Sequence, residues 1–355
     1  MMKKVYIFLL LGALAVFSGC TNESSPISRD YFKEAPISQL ATNRETLDPP
    51  ITISNIAVEN YFRIGTNEQT FINVPNRIFV IGASQIDTVL DLNMGQAIIG
   101  AVKYEDSKEY PIKASNQNVY KNLSFVSRSQ INIESLLTLQ PDLIIGEESW
   151  YSKNKLGSTA YWNEKGIHTM VTPGTTHPMK VAEDETVEDQ MEYILNLGRV
   201  FNQEQQAKYI VDATEGRIKE IAYARVGKKK PKVLILDLLS ATVSYGSNKV
   251  AGDLVNRIGG EVPYTTAPIS DELLMRENPD IVFVVTYDSD TELLDSLLKK
   301  PQFQVLNFVK YNRVYAIPLK YVYGPLSRTI DAAGYMANYM YPDEFNFEKE
   351  YDFHK

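Results

Sequence analysis

One cysteine, Cys20, is all that the 355-residue chain contains. No disulfide framework and no cysteine metal cage can form, so stability has to come from a hydrophobic core. Histidine is nearly as scarce, with His168, His177 and His354. His168 sits inside an apolar run and His354 in a charged tail, so a cage of several histidines is not available. Positive charge is in deficit: 36 Lys and Arg stand against 44 Asp and Glu, a net charge of −8. With no basic excess to neutralise phosphates, the chain is expected to have no nucleic-acid partner. Nucleotide and nucleophile signatures are missing as well. No GxGxxG follows a strand and no phosphate-binding GxxxxGKS or GxxxxGKT occurs. Ser84 in GASQI and Ser247 in GSNKV are not elbows of the GxSxG type. The acidic pair Glu147-Glu148 at a strand end reads as solvated loop charge, and no active site stands out.

Long apolar runs are absent too. Val5–Val16 holds twelve residues, which rise only ~18 Å as a helix against ~30 Å of hydrocarbon. Behind the basic Met1–Lys4 it reads as an export signal. Phe17-Ser18-Gly19-Cys20 resembles a bacterial lipobox, whose cysteine is lipidated and becomes the mature N-terminus. The expected layout is a signal peptide over 1–19 and a polar tether over 20–49. It places the protein on the extracytoplasmic or periplasmic face of the cell membrane, held by a lipid on Cys20.

What the chain does have is a repeated unit. Asn132–Gly146 reads NIESLLTLQPDLIIG and Ser270–Val285 reads SDELLMRENPDIVFVV. Each has a capping residue, a Glu two positions on, an apolar pair, and Pro-Asp running into an apolar strand. The same helix-to-strand unit in both halves predicts two similar lobes with a cleft between them. Boundaries are expected at 50–182 for the first lobe, 183–228 for a helical bridge and 229–355 for the second lobe.

Strand and helix patterns alternate in both lobes. Arg77–Ile81, Ala97–Val102, Leu143–Ile145 and His168–Val171 read as strands, with short edge strands at Ile51–Ile53 and Tyr61–Ile64. Helices are predicted over Ser84–Leu92, Ile133–Leu139 and Asn154–Lys165. The second lobe repeats this, from a strand at Lys232–Asp237 to a last helix at Leu326–Tyr341, with a fraying tail over Glu348–Lys355. In the bridge, Thr186 caps one helix. Gly198 and Asn202 mark a break, and Asn202 with Gln205 would open a second helix of ~30 Å. The fold class is therefore α/β: two Rossmann-like lobes with parallel sheets, joined by a long rigid interlobe helix.

In such sheets ligands bind at the carboxyl ends of the strands. The loops there carry Ser84, Gln85, Tyr104, Trp150, Tyr151, Thr175 and Thr176 in lobe one. In lobe two they carry Tyr245, Tyr264, Tyr287, Tyr321, Tyr323 and Arg328. The chain has 22 Tyr, and their flat faces with polar tips suit a planar or aromatic ligand. Arg328 offers fixed charge for an anion.

Several segments in this order resemble one known family. They are Pro75-Asn76-Arg77-Ile78-Phe79-Val80, the INIESLLTLQPDLIIG unit, GDLVNRIGG at Gly252–Gly260, SDELLMRENPDIV, RVYAIP at Arg313–Pro318, YGPLSRTID at Tyr323–Asp331 and YPDEF. Behind a lipobox, this series is similar to the substrate-binding proteins of ABC importers for iron–siderophore complexes, haem and cobalamin. The resemblance implies a monomeric binding lipoprotein, not an enzyme, that hands a ferric siderophore to an ABC permease. The ligand would bring its own metal, so no cofactor is implied. Haem would favour a Tyr or His axial ligand, which keeps His177 and the loop tyrosines in view, and cobalamin would use a similar aromatic cleft. The family carries one Glu on each lobe that docks against Arg residues of the permease, and Glu134 and Glu272 fall on those positions. A scavenger that never meets a permease, or an extracytoplasmic enzyme on the same scaffold, are the alternatives.

Overall fold

The computed structural model describes residues 45–103, 112–174, 184–239, 243–265, 267–287 and 292–354. The signal region, most of the tether and Cys20 lie outside these, as do Tyr104, Thr175, Thr176 and His177.

The chain begins with an antiparallel hairpin, β1 (Thr46–Glu59) against β2 (Phe62–Asn73). It replaces the two short edge strands predicted from the sequence and belongs to neither main sheet. The first main sheet follows: β3 (Ile78–Val80), β4 (Ile98–Lys103), β5 (Phe125–Ser127), β6 (Leu143–Gly146) and β7 (His168–Val171). Its order is β5-β4-β3-β6-β7 and every pairing is parallel. Helices α1 (Ala83–Asp91), α2 (Ile133–Leu139) and α3 (Thr159–Glu164) connect these strands. α3 starts later than Asn154, because Ser158 caps it by accepting the backbone N–H of Tyr161.

The hairpin covers the exposed edge of β7 with side chains. Asn55 accepts from the backbone N–H of Val171, and Gln69 both accepts from Thr169 N–H and donates to its carbonyl. An edge that could recruit another strand is thereby closed. The Phe71 ring stacks on His168 at 4.0 Å between centroids, so His168 is a packed residue, as expected.

Two helices then cross between the lobes, α4 (Val187–Val200) and the 21-residue α5 (Glu204–Ala224). Thr186 caps α4 in a box with Asp189, as the sequence suggests. Asn202 does not cap α5. It turns in the left-handed region at φ 52°, and Gln203 takes the cap position without a side-chain bond. Gly198 does not break α4. It lets α5 approach, since a Cβ there would lie 2.3 Å from that of Ala207.

The second sheet holds β8 (Val233–Asp237), β9 (Val243–Ser244), β10 (Ala267–Pro268), β11 (Ile281–Thr286) and β12 (Val314–Pro318), ordered β10-β9-β8-β11-β12. β8, β11 and β12 are parallel, but β9 runs antiparallel to both its neighbours. The expected parallel arrangement holds for β8, β11 and β12, and the two-residue β9 and β10, too short to carry a periodic signal, add an antiparallel edge. Helices α6 (Val250–Arg257), α7 (Asp271–Glu277), α8 (Glu292–Leu298) and α9 (Thr329–Met340) complete the lobe.

Period-two alternation distributes the core. On β3, Ile78 and Val80 face the bridge, while Phe79 and Ile81 beyond it face the outer core of lobe one. On β11, Ile281, Phe283 and Val285 face the bridge, and Val282 and Val284 the outer core of lobe two. The bridge-side core is continuous from Ile78 through Ile194 and Ile210 to Phe283. Close-packed apolar contact running through both lobes and the bridge resists a large hinge motion.

The tail is docked rather than frayed. Tyr351 N–H donates to Asp331, Glu350 accepts from Ala114 N–H, and Phe353 is buried with the Lys113 ammonium 4.5 Å from its ring centre.

The repeated unit has a structural cause. Asn132 and Ser270 cap α2 and α7, and Gln140 and Asn278 end them in the left-handed region. Asp142 accepts from the backbone of Asn76 and Arg77, and Asp280 from Lys232, at the entry to the first strand of each sheet. Arg77 and Lys232 return bonds to carbonyls at the ends of α2 and α7. Each Pro-Asp therefore ties its own helix to the start of its own lobe.

Candidate functional site

Both sheets turn their carboxyl strand ends toward one seam. The chain reverses direction across each sheet between β3 and β6 and between β8 and β11, the switch points where α/β sheets bind ligands. Gln190 of α4 shows how close the lobes are. It donates to Pro173 O after β7 and accepts from Leu326 N after β12.

Four charged side chains cross this seam in a chain. Glu148, after β6, binds Arg63 from the hairpin at 3.1 Å, and Arg63 lies 3.6 Å from Glu185. Glu185 binds Lys249 at the start of α6 at 3.0 Å, and its backbone N–H donates to Asn248 O. The side chains of Glu148, Glu185 and Lys249 are at most 3% exposed. Buried charge in a crevice is costly unless paired, and such groups concentrate at functional sites. Burial pushes the Glu185 carboxyl up, against the pull of Lys249 and Arg63. Beside this chain lies Tyr323, whose hydroxyl is held well above its ordinary pKa by burial and then by the carboxylates of Glu147, Glu148 and Glu185. Tyr245 is its neighbour and donates to Asp237 at 3.3 Å.

The predicted site residues fall into two groups. Tyr245 and Tyr323 come together at the seam. Ser84 and Gln85 open α1 and are buried, with Gln85 donating to Thr172 at 3.1 Å. Trp150 and Tyr151 are buried in the outer core of lobe one, and the Lys155 ammonium lies 4.4 Å from the centre of the Trp150 ring. Tyr264 packs against the outer core of lobe two, and Tyr287 stays exposed. Tyr321 is buried against the tail and donates to Lys349 O. Arg328 is fully buried and bonded to Asp87, which places its guanidinium in the junction between the lobes. Glu147-Glu148 also needs correction: Glu147 is half-buried and Glu148 buried, so the pair is not a solvated loop. Sequence reasoning missed Arg63, Glu185 and Lys249 altogether. The only available signal was the inward position that strand alternation gives Arg63 between exposed Phe62 and Ile64.

A sequence model of the periplasmic binding proteins matches residues 78–321. The chain belongs to that family. It is 21% identical to the uncharacterized ABC transporter substrate-binding lipoprotein YvrC of Bacillus subtilis, over 97% of this chain and 99% of that one. The fold is shared with a periplasmic binding protein of Veillonella parvula, at a TM-score of 0.73 and 22% identity over 85% of this chain and 94% of that one. It is also shared with a protein of Saccharomonospora viridis described as an ABC-type Fe3+-hydroxamate transport system. There the TM-score is 0.63 and the identity 18%, over 81% of this chain and 99% of that one.

In this periplasmic binding protein, Glu134 and Glu272 occupy equivalent places, exposed in the first turns of α2 and α7. The Glu272 carboxyl is held below its ordinary pKa by its own backbone N–H and by Ser270. A surface cavity of about 550 Å³ lies elsewhere, lined by Arg225, Pro231, Asp280 and Arg313. It is at the amino ends of β8 and β11, the wrong end of the sheet for a ligand cleft.

Behind the seam the lobes are joined by a buried polar cluster. Asp87 and Asp91 of α1 and Asp331 of α9 surround Lys113 and Arg328, with Lys113 2.9 Å from Asp91 and 3.8 Å from Asp331. Three carboxylates against two cations leave one short of a counter-charge. Burial pushes the Asp331 carboxyl up to about 6, against Lys113 and Arg328. Its folded pKa thus exceeds the ordinary 3.8. The resulting stabilisation is present below 3.8 and is lost as pH rises through about 6. Asp331→Asn does not suffer that loss. Relative to wild type it should gain up to about 3 kcal/mol between pH 4 and pH 7, measured by denaturant unfolding at each pH.

Proposed function

We propose that the protein is a lipid-anchored, extracytoplasmic binding protein that captures a ferric siderophore and delivers it to an ABC permease. The observation that carries this reading is the seam itself, where Tyr245, Tyr323 and a chain of buried charges meet at both sheets' switch points. Tyrosine faces and fixed charges suit a rigid organic chelate that encloses its metal. YvrC, an ABC transporter substrate-binding lipoprotein by description, agrees with delivery to an ABC permease and with a lipid anchor, here on Cys20. The Saccharomonospora fold relative agrees with a ferric cargo. No helix among the described residues is long and apolar enough to cross a membrane.

Trp150 and Trp162, both buried in the outer core of lobe one, are the two natural reporters. Fluorescence titration with ferric siderophores, haem and cobalamin should show quenching by a ferric siderophore at micromolar concentration or below. Quenching by haem or cobalamin alone would replace the cargo, and no response to any of them would overturn the reading.

A further inference from the structure

The hairpin β1–β2 lies before the span matched by the family, yet it reaches the seam. Its tip is pinned, because Tyr61 N–H donates to Tyr151 O at 3.0 Å and Asn60 and Tyr61 turn in the left-handed region. Strand alternation then sends Phe62 and Ile64 outward, 62% and 60% exposed, and Arg63 inward with its side chain 13% exposed. The guanidinium is held between Glu148 and Glu185, and Glu185 also holds Lys249.

Among the described residues, charge at the seam is therefore held within pairs. Glu148 and Glu185 hold Arg63 and Lys249, and Glu147 adds its carboxylate beside Tyr323. Lys155 turns its ammonium over the Trp150 ring, and Asp237 accepts from the Tyr245 hydroxyl. Among the described residues there, cations do not outnumber carboxylates. A polyanion arriving between the lobes would meet carboxylates already holding the cations it needs, in a place where water screens little. A neutral or cationic ligand would meet no such opposition.

We propose that the hairpin is part of the ligand-selecting machinery and that Arg63 is its specificity-determining residue. Through the chain Glu148–Arg63–Glu185–Lys249, the seam accepts chelates without net negative charge and turns polyanionic ones away. This rests on the reading of the protein as a carrier of iron chelates, and it adds which charge class is carried and by which residues that choice is made.

The test compares two probes on the full chain, a cationic ferric trihydroxamate and a trianionic ferric tricatecholate, by fluorescence titration at low and at high salt. Wild type should bind the trihydroxamate at least about tenfold more tightly, with the preference shrinking in salt. Glu148→Gln releases Arg63 and should narrow the preference by about tenfold per charge removed. Arg63→Gln leaves Glu148 uncompensated and should widen it, while Arg63→Lys restores it. Thermal melts establish that each variant is folded, and Glu185→Gln serves if Glu148→Gln is not. Tighter binding of the tricatecholate by wild type, or an unchanged preference in the folded variants, overturns the selector and leaves the carrier reading standing. Binding of neither probe overturns both.

Discussion

Arg328→Met is expected to lower stability by about 3–5 kcal/mol, measured as the free energy of unfolding in urea followed by circular dichroism. The guanidinium and the Asp87 carboxylate are both fully buried and bonded to each other. Removing the guanidinium leaves Asp87 with two dipoles, the amide of Asn116 at 2.8 Å and the backbone N–H of Lys113 at 3.2 Å, and with a Lys113 ammonium that Asp91 already holds at 2.9 Å. Burial already pushes the Asp87 carboxyl up, with Arg328 the largest opposing influence. The variant should therefore lose stability most above neutral pH and recover part of it in acid, where Asp87 takes up a proton. A second change tests the cause. Asp87→Leu added to Arg328→Met removes the stranded charge and should restore part of the loss, since a buried ion pair is worth far less than the cost of breaking it. A loss below 1 kcal/mol in the single variant would mean that water reaches Asp87 and that the junction is looser than its packing indicates.

This pair also marks where sequence reasoning stops. Apolar runs with Pro-Asp entries were legible because a strand buried on both faces is a near-continuous apolar run, as Leu143–Gly146 is and as Ile281–Thr286 is up to its last residue. The repeat was legible because the same cap and the same Asp-to-backbone ties build both lobes. Side-chain direction in loops was not. Arg328 and Trp150 stand at strand ends where a ligand residue would stand, and only packing shows that one faces Asp87 and the other the outer core. Glu148 looked solvated because its partner Arg63 is 85 positions earlier, on a hairpin whose own pattern suggested two minor strands. Charges paired across that distance leave no local trace. The tail looked free for the same reason, since Tyr351 and Glu350 find partners at Asp331 and Ala114 that no periodicity connects to them.

The double variant Glu134→Ala, Glu272→Ala is expected to abolish ligand uptake by cells while leaving ligand affinity and stability within experimental error of wild type. Both carboxylates are exposed, and neither takes part in the chain across the seam. Their removal deletes only weak helix-terminal stabilisation, about 0.3–1 kcal/mol each. What they have that other surface acids lack is equivalence. Each follows its N-cap by two positions, on the helix whose Pro-Asp is tied to the first strand of its lobe. Two such charges on two lobes that share a continuous core are held at a fixed separation, so they can meet two fixed cations on a permease at once. Binding at one site then raises the effective concentration at the other, and loss of both removes the gain along with the contacts. Single variants should accordingly retain partial uptake, with a raised half-saturation rather than a lost maximum. Because exposed charge pairs act through orientation and encounter rate, raising the ionic strength should weaken wild-type uptake more than it weakens ligand binding. Uptake at the wild-type rate by the folded, ligand-competent double variant would rule out docking through these residues and would leave the matched caps as the whole reason for the repeat.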